Sequence, residues 1–257
     1  RSGKTTVVAT ILAAHYRENP DTKIGICAPT GKAAARLKEA INNELENLNI
    51  KASTKNSIAK TEASTIHRLL KVKYNTPHFF YNRDNKLKID LLILDEASMV
   101  SQPLMCKLFY ALPDTTRVVL LGDKDQLASV EEGSVFGDIC DALPLNHFSE
   151  KFVRSLQHHS NQTVLSCQNS AGANTIIELT ESYRFDNHQG IGLAKAAINA
   201  NQPQTILNIG KNGNNRFMIK NLPGKNYYKS QILNYLKALK IQIGDNHLGI
   251  DDYLKIE

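Results

Sequence analysis

Two short groups in this sequence have the residue types and spacing to do chemistry, Gly3-Lys4-Thr5 and Asp95-Glu96. The first is the closing half of the phosphate-binding pattern G-x-x-x-x-G-K-[ST]. In that pattern the glycine lets backbone N–H groups turn towards phosphate oxygens. The lysine ammonium reaches the β- and γ-phosphates, and the next hydroxyl binds Mg2+. Residues 6–16 are apolar and helix-compatible, so the phosphates would lie at a helix N-terminus, where the dipole favours anions. The opening glycine of the pattern, and the strand that feeds it, are expected before residue 1. The tripeptide alone is common, so most of the weight falls on the second group and its neighbours. Asp95-Glu96 ends the apolar run 89–94. Asp95 is suited to hold Mg2+, directly or through water, and Glu96 to orient and deprotonate an attacking water. Two adjacent carboxylates on a loop are usually surface charge; at the end of L-L-I-L, downstream of a phosphate loop, they read as the second half of a nucleotide site. Gly122-Asp123-Lys124-Asp125-Gln126-Leu127 follows the next apolar run. There Gln126 can sense a γ-phosphate and position water, although the hexapeptide alone reads as a polar turn.

The elements that must position these groups alternate between strand and helix patterns. Residues 23–28 form a short apolar run ending at Pro29, a buried strand. Ala34, Leu37, Ala40, Ile41, Leu45 and Leu48 then fall at helical spacing. Residues 51–60 are polar and read as a loop. Residues 63–70 read as a turn into a short helix capped by Ser64 or Thr65, and 72–88 as irregular. Residues 89–94 are apolar on both faces, as a central parallel strand is. Pro103, after Ser101, opens a helix that runs to about Leu112 and stops at Pro113. Residues 117–121 read as another buried strand. The pattern predicts an α/β fold with a mostly parallel sheet, and such sheets bind ligands at the carboxyl ends of their strands. Residues 149–175 turn polar and read as an insertion or linker, with His158 and His159 solvated. A new element starts at 176–185, followed by a small amphipathic helix over 192–200. Residues 201–225 are rich in Asn, Gly and Pro, and Tyr228, Ile232, Tyr235, Leu236 and Leu239 share one helical face.

The chain has 257 residues, room for one large domain or for one domain and part of another. No apolar run is long enough to span a bilayer and no signal peptide is evident. It opens inside a motif without an initiator Met, and is read as a piece of a longer protein. Four scattered cysteines point to free thiols in a reducing cytoplasm, not to zinc or disulfides. A net charge of +6 permits a polyanionic partner. Trp is absent, so any base stacking would fall to Tyr, Phe or His.

Gly3-Lys4-Thr5-Thr6, A-P-T-G-K-A-A-A-R-L (28–37), S-T-I-H-R-L-L (64–70), L-D-E-A-S-M (94–99), L-G-D-K-D-Q-L-A-S-V-E-x-G-S-V-F-G-D-I-C (121–140) and S-Y-R-F (182–185) stand in this order. Together, over residues 1 to about 200, they resemble the successive motifs of superfamily 1 DNA helicases of the RecD type. Two departures stand out. Arg1-Ser2 occupies the place where such loops usually read G-T, and blocks like the later V-H-K-S-Q-G and A-x-T-R-A are missing. The resemblance implies a RecA-like P-loop NTPase domain over 1–150, a polar insertion or linker over 151–175, and the incomplete start of a second RecA-like domain over 176–257. It implies ATP and Mg2+ at Gly3, Lys4, Thr5, Thr6, Asp95, Glu96, Gln126 and Arg184, with Thr5 and Asp95 on the metal. Lys4, Glu96, Gln126 and Arg184 would be catalytic, Arg184 as an arginine finger from the second domain. Pro29, Thr30, Gly31, Lys32, Thr65 and His67 would meet single-stranded DNA. A Thr hydroxyl and backbone N–H groups after a strand suit phosphate contacts. His67 divides evenly between a base-stacking role and a capping or core role.

The implied activity is that of an ATP-hydrolysing 5′–3′ DNA helicase, cytoplasmic, acting in double-strand break repair and recombination with RecB and RecC subunits. No carboxylate cluster here resembles a nuclease site, so DNA cutting would belong to a partner. A stand-alone RecD-like helicase and a nucleotide-dependent structural subunit are the alternatives. The stretch 1–257 alone is expected to fold its first domain at least partly, and to hydrolyse ATP poorly for want of a complete second one.

Overall fold

A computed structural model describes residues 3–124, 135–157, 172–179 and 191–211. The chain divides into two compact units, Arg1–Asp186 and Asn187–Glu257. In the first, α1 (Lys4–Glu18), β1 (Ile24–Ala28), α2 (Gly31–Asn47), α3 (Ala52–Lys60), β2 (Ala63–Thr65) and α4 (Ile66–Leu70) are followed by β3 (Leu91–Leu94), a 3-10 turn (Ala97–Met99), α5 (Gln102–Tyr110), β4 (Arg117–Leu120), α6 (Val135–Ala142) and α7 (Glu150–Gln157). The four strands form one sheet in the order β2-β1-β3-β4. All three pairings are parallel, with Ile26 opposite Ala63, Ile26 opposite Ile93, and Ile93 opposite Val119.

Period-two alternation along the strands divides the core between the two faces of the sheet. Ile26, Leu91 and Ile93 pack with Val8, Leu12 and Tyr16 of α1, Leu37, Ile41 and Leu45 of α2, and Ile58 of α3. Cys27, Leu92 and Leu94 face the other way, onto Ile66 and Leu70 of α4 and Met105 and Leu108 of α5. Every residue of β3 is buried, as its apolar run predicts for a strand covered on both sides. The α/β fold with a parallel sheet is therefore as the sequence pattern predicts.

Several local readings are corrected. Residues 51–60 are not a loop but contain α3, which buries only Thr54 and Ile58. A helix with so thin an apolar stripe is held from outside. The Lys38 ammonium of α2 donates to the carbonyls of Ile58 (3.2 Å), Ala59 (2.6 Å) and Thr61 (2.6 Å), capping the carboxyl end of α3. The hydroxyls of Tyr16 and Thr61 meet at 2.6 Å beneath it. The turn at 63–65 is a strand, too short to show a period. β4 is not a buried strand: its first two residues are exposed and its last two half-buried. Among the described residues it pairs with β3 alone. The polar stretch 149–175 contains α7, where Val153 is buried and Phe152 stacks on Phe148 at 5.5 Å. In the second unit, α8 (Ile191–Asn199) is as expected, but the Asn-, Gly- and Pro-rich stretch after it opens with another helix, α9 (Pro203–Lys211). Pro203 takes the first helical position, where its missing N–H costs nothing, and Asn201 turns the chain at φ 52°. No helix among the described residues is long and apolar enough to cross a membrane. The helical face 228–239 and His158 and His159 lie outside the described residues.

Candidate nucleotide and nucleic-acid site

Because the sheet is parallel, the carboxyl ends of all four strands lie along one edge, and the candidate site residues gather there. In sheet order, the edge carries Thr65 at the end of β2 and His67 just after it, Pro29 and Thr30 after β1, Asp95 and Glu96 after β3, and Gly122 after β4. Gly3 enters α1 at φ 74°, a left-handed conformation that glycine adopts without steric cost. Lys4 follows, and its ammonium donates to the carbonyl of Gly122 at 2.5 Å. The amino end of α1 thus reaches the β4 end of the edge.

Asp95 and Glu96 are fixed by backbone hydrogen bonds to the strands on either side. The N–H of Asp95 donates to Cys27 of β1 (2.9 Å), and that of Ala97 to Leu121 just beyond β4 (2.8 Å). The residue between these two anchors must turn sharply. Glu96 does so at φ 52°, ψ 41°, a left-handed conformation that costs an L-residue roughly 1–2 kcal/mol. Strain of this kind persists where the surroundings impose it. Burial pushes the Asp95 carboxyl above its usual range, while a hydrogen bond from the Glu96 backbone and the Lys4 charge pull it back down. Asp95 is thus a partly dehydrated carboxylate facing a cation. Such a hard oxygen donor suits Mg2+, which takes one or two carboxylates and keeps several waters.

At the other end of the edge, the hydroxyl oxygen of Thr30 accepts from the N–H of Ala33 (3.2 Å), capping α2. Thr65 caps α4 by accepting from Arg68 (3.2 Å); of the two candidate caps, Ser64 and Thr65, it is the one used. Each hydroxyl keeps its O–H as a donor. Pro29 is half-buried, and Gly31 and Lys32 are exposed beside Thr30. His67 is exposed and meets Phe79 edge-on, ring centres 5.7 Å apart. Thr6 stands apart, its hydroxyl donating to Glu44 of α2 at 3.2 Å. Gln126 and Arg184 lie outside the described residues.

Sequence reasoning missed the Gly122 carbonyl as the partner of Lys4. Its only signal was its place at the head of G-D-K-D-Q-L. It also missed Phe79 beside His67. Cys27, Cys106 and Cys140 are free, and burial pushes the Cys27 thiol up to about 12. It therefore stays protonated and inert.

The AAA domain family matches residues 2–132. RecBCD enzyme subunit RecD of Haemophilus influenzae is 40% identical over 199 residues, which are 74% of this chain and 30% of that protein. The subunit of the same name from Mycolicibacterium smegmatis is 43% identical over 148 residues, 55% of this chain and 26% of its own. The ATP-dependent RecD2 DNA helicase of Deinococcus radiodurans is 36% identical over 143 residues, 56% and 17%. The chain spans less than a third of the length of these relatives. A solved structure of Bacteroides sp Pif1 in complex with ADP-AlF4 is 20% identical and covers 78% of this chain and 40% of its own, with a TM-score of 0.37.

Proposed function

The chain belongs to the AAA domain family, and we propose that it is the nucleotide-binding part of an ATP-hydrolysing DNA helicase subunit of the RecD type. One observation carries this reading: a single sheet edge holds Lys4, Asp95 and Glu96 at its β3–β4 end and Thr30, Thr65 and His67 at its β1–β2 end. A nucleotide at one end and a strand of nucleic acid at the other then share one rigid support. The similarity to RecD subunits and to a RecD2 helicase, by name a DNA helicase, supports the same assignment.

At the first end Thr5 and Asp95 would hold Mg2+, which would supply positive charge beside the phosphates. The Lys4 ammonium leaves a neutral carbonyl for the phosphates. Glu96, fixed between two anchored N–H groups, orients a water and accepts its proton. Gln126, beyond β4, would position the attacking water, and Arg184 would offset negative charge on the γ-phosphate. At the other end, backbone N–H groups of Gly31 and Lys32 and the O–H of Thr30 meet DNA phosphates, while His67 offers a ring to a base. In this reading the whole subunit works in the cytoplasm beside RecB and RecC, moves 5′ to 3′ on single-stranded DNA, and serves break repair.

The test is an ATPase titration with single-stranded DNA on the longer protein that carries this chain. His67→Ala is expected to weaken DNA binding by about 1–3 kcal/mol if it stacks, with ATP affinity in the absence of DNA unchanged. Equal DNA affinity for His67→Ala and Thr30→Ala and the parent protein would remove the β1–β2 end from the site.

A further inference from the structure

Gly122 is the residue whose carbonyl receives the Lys4 ammonium, and it has no room for a side chain. A Cβ built on it would lie 2.7, 2.9 and 3.0 Å from three ring carbons of Phe136. Such distances force a displacement. The ring that must yield is half-buried: Phe136 belongs to α6 and packs against the core beneath β3 and the 3-10 turn. The backbone at Gly122 therefore rests on the Phe136 ring, and that contact sets where its carbonyl stands.

The acceptor is uncharged, and this matters at a site that must take up a polyphosphate. Lys4 also feels the Asp95 carboxylate. An ammonium closed onto a partly dehydrated carboxylate makes a strong charge-assisted bond and occupies oxygens that a metal needs. An ammonium held by a carbonyl makes a weaker bond that phosphate oxygens displace readily, and its long side chain is already ordered in the site. We propose that Gly122 and Phe136 are positioning residues for Lys4: the ring seats the Gly122 carbonyl where it holds the ammonium off Asp95 until a nucleotide takes it. The proposal rests on the nucleotide reading of Lys4 and adds two residues to it.

The experiment is an equilibrium titration of a fluorescent ADP analogue into the longer protein that carries this chain, with EDTA present so that the metal role of Asp95 does not contribute. Gly122→Ala is expected to weaken binding at least fivefold, and Gly122→Ala with Phe136→Leu to return within twofold of the parent protein. Phe136→Leu alone loosens the seat and is expected to weaken binding two- to threefold; it serves if Gly122→Ala does not fold. In a Lys4→Gln background both substitutions are expected to change affinity by less than twofold, because the residue they position is gone. Losses of equal size in the parent and Lys4→Gln backgrounds would mean a general distortion and overturn the proposal. Binding by Lys4→Gln as tight as the parent protein's would instead overturn the nucleotide reading itself.

Discussion

Glu96 is held left-handed by its neighbours, and this separates its contribution to stability from the chemistry proposed for it. The N–H groups of Asp95 and Ala97 are tied to strands on opposite sides, so the turn at Glu96 is set by the sheet and not by the side chain. An L-residue in this conformation costs roughly 1–2 kcal/mol. Glycine removes that cost but loses about 0.5–1 kcal/mol through the greater freedom of the unfolded chain. Glu96→Gly is therefore expected to be about 0.5–1 kcal/mol more stable than Glu96→Gln. Both lack the carboxylate, and both should lose hydrolysis by about 10²–10⁴-fold, the usual contribution of a general base. Glu96→Val, with its branched Cβ, should be the least stable of the three. Urea denaturation followed by circular dichroism gives the order, and steady-state phosphate release gives the turnover. A Gly variant less stable than the Gln variant would refute the reasoning, because the turn would then not be strained.

Lys38→Met should destabilise the first unit by about 2 kcal/mol, since it leaves three carbonyls at the end of α3 without their charged donor; urea midpoints measure it, and a change under about 0.5 kcal/mol would mean that water replaces the ammonium at no cost. Asp95→Asn should raise the melting temperature of the nucleotide-free protein at neutral pH. The folded-state pKa of Asp95 is raised by burial, so the folded chain takes up its proton at a higher pH than the unfolded chain, whose value is about 3.9. Ionised Asp95 thus costs stability above its folded pKa, and the cost fades as pH falls towards the unfolded value. The gain from Asn should disappear below about pH 4; a gain independent of pH would rule out the carboxylate's charge as its cause.

The strongest sequence signals were those that depend on burial along a single element. Residues 89–94 read as a central strand because both faces are apolar, and β3 is buried at every position. α2 read as a helix because four of its buried residues recur on one stripe. α3 was illegible because its stabilisation comes from another helix: no pattern within 51–60 announces that Lys38 will cap it. β2 has three residues, and its partner in the sheet is far away in sequence. β4 has the composition of a buried strand, but its exposure depends on its place at the edge among the described strands. The site divides in the same way. Lys4, Asp95 and Glu96 could be singled out as candidates because phosphate and metal chemistry would demand such side chains. The acceptor of Lys4 is a backbone carbonyl, which every residue has, and the Phe136 contact that seats it exists only in three dimensions.

The most direct test of the account is a single-turnover measurement on the longer protein that carries this chain, with radiolabelled ATP, Mg2+ and saturating single-stranded DNA. The parent protein should bind ATP and release phosphate. Glu96→Gln should bind ATP as tightly as the parent and release phosphate about 10²–10⁴-fold more slowly, and Lys4→Gln should lose ATP affinity as well as turnover. Phosphate release at the parent rate by either variant would contradict the assignment of this sheet edge as the site of ATP hydrolysis.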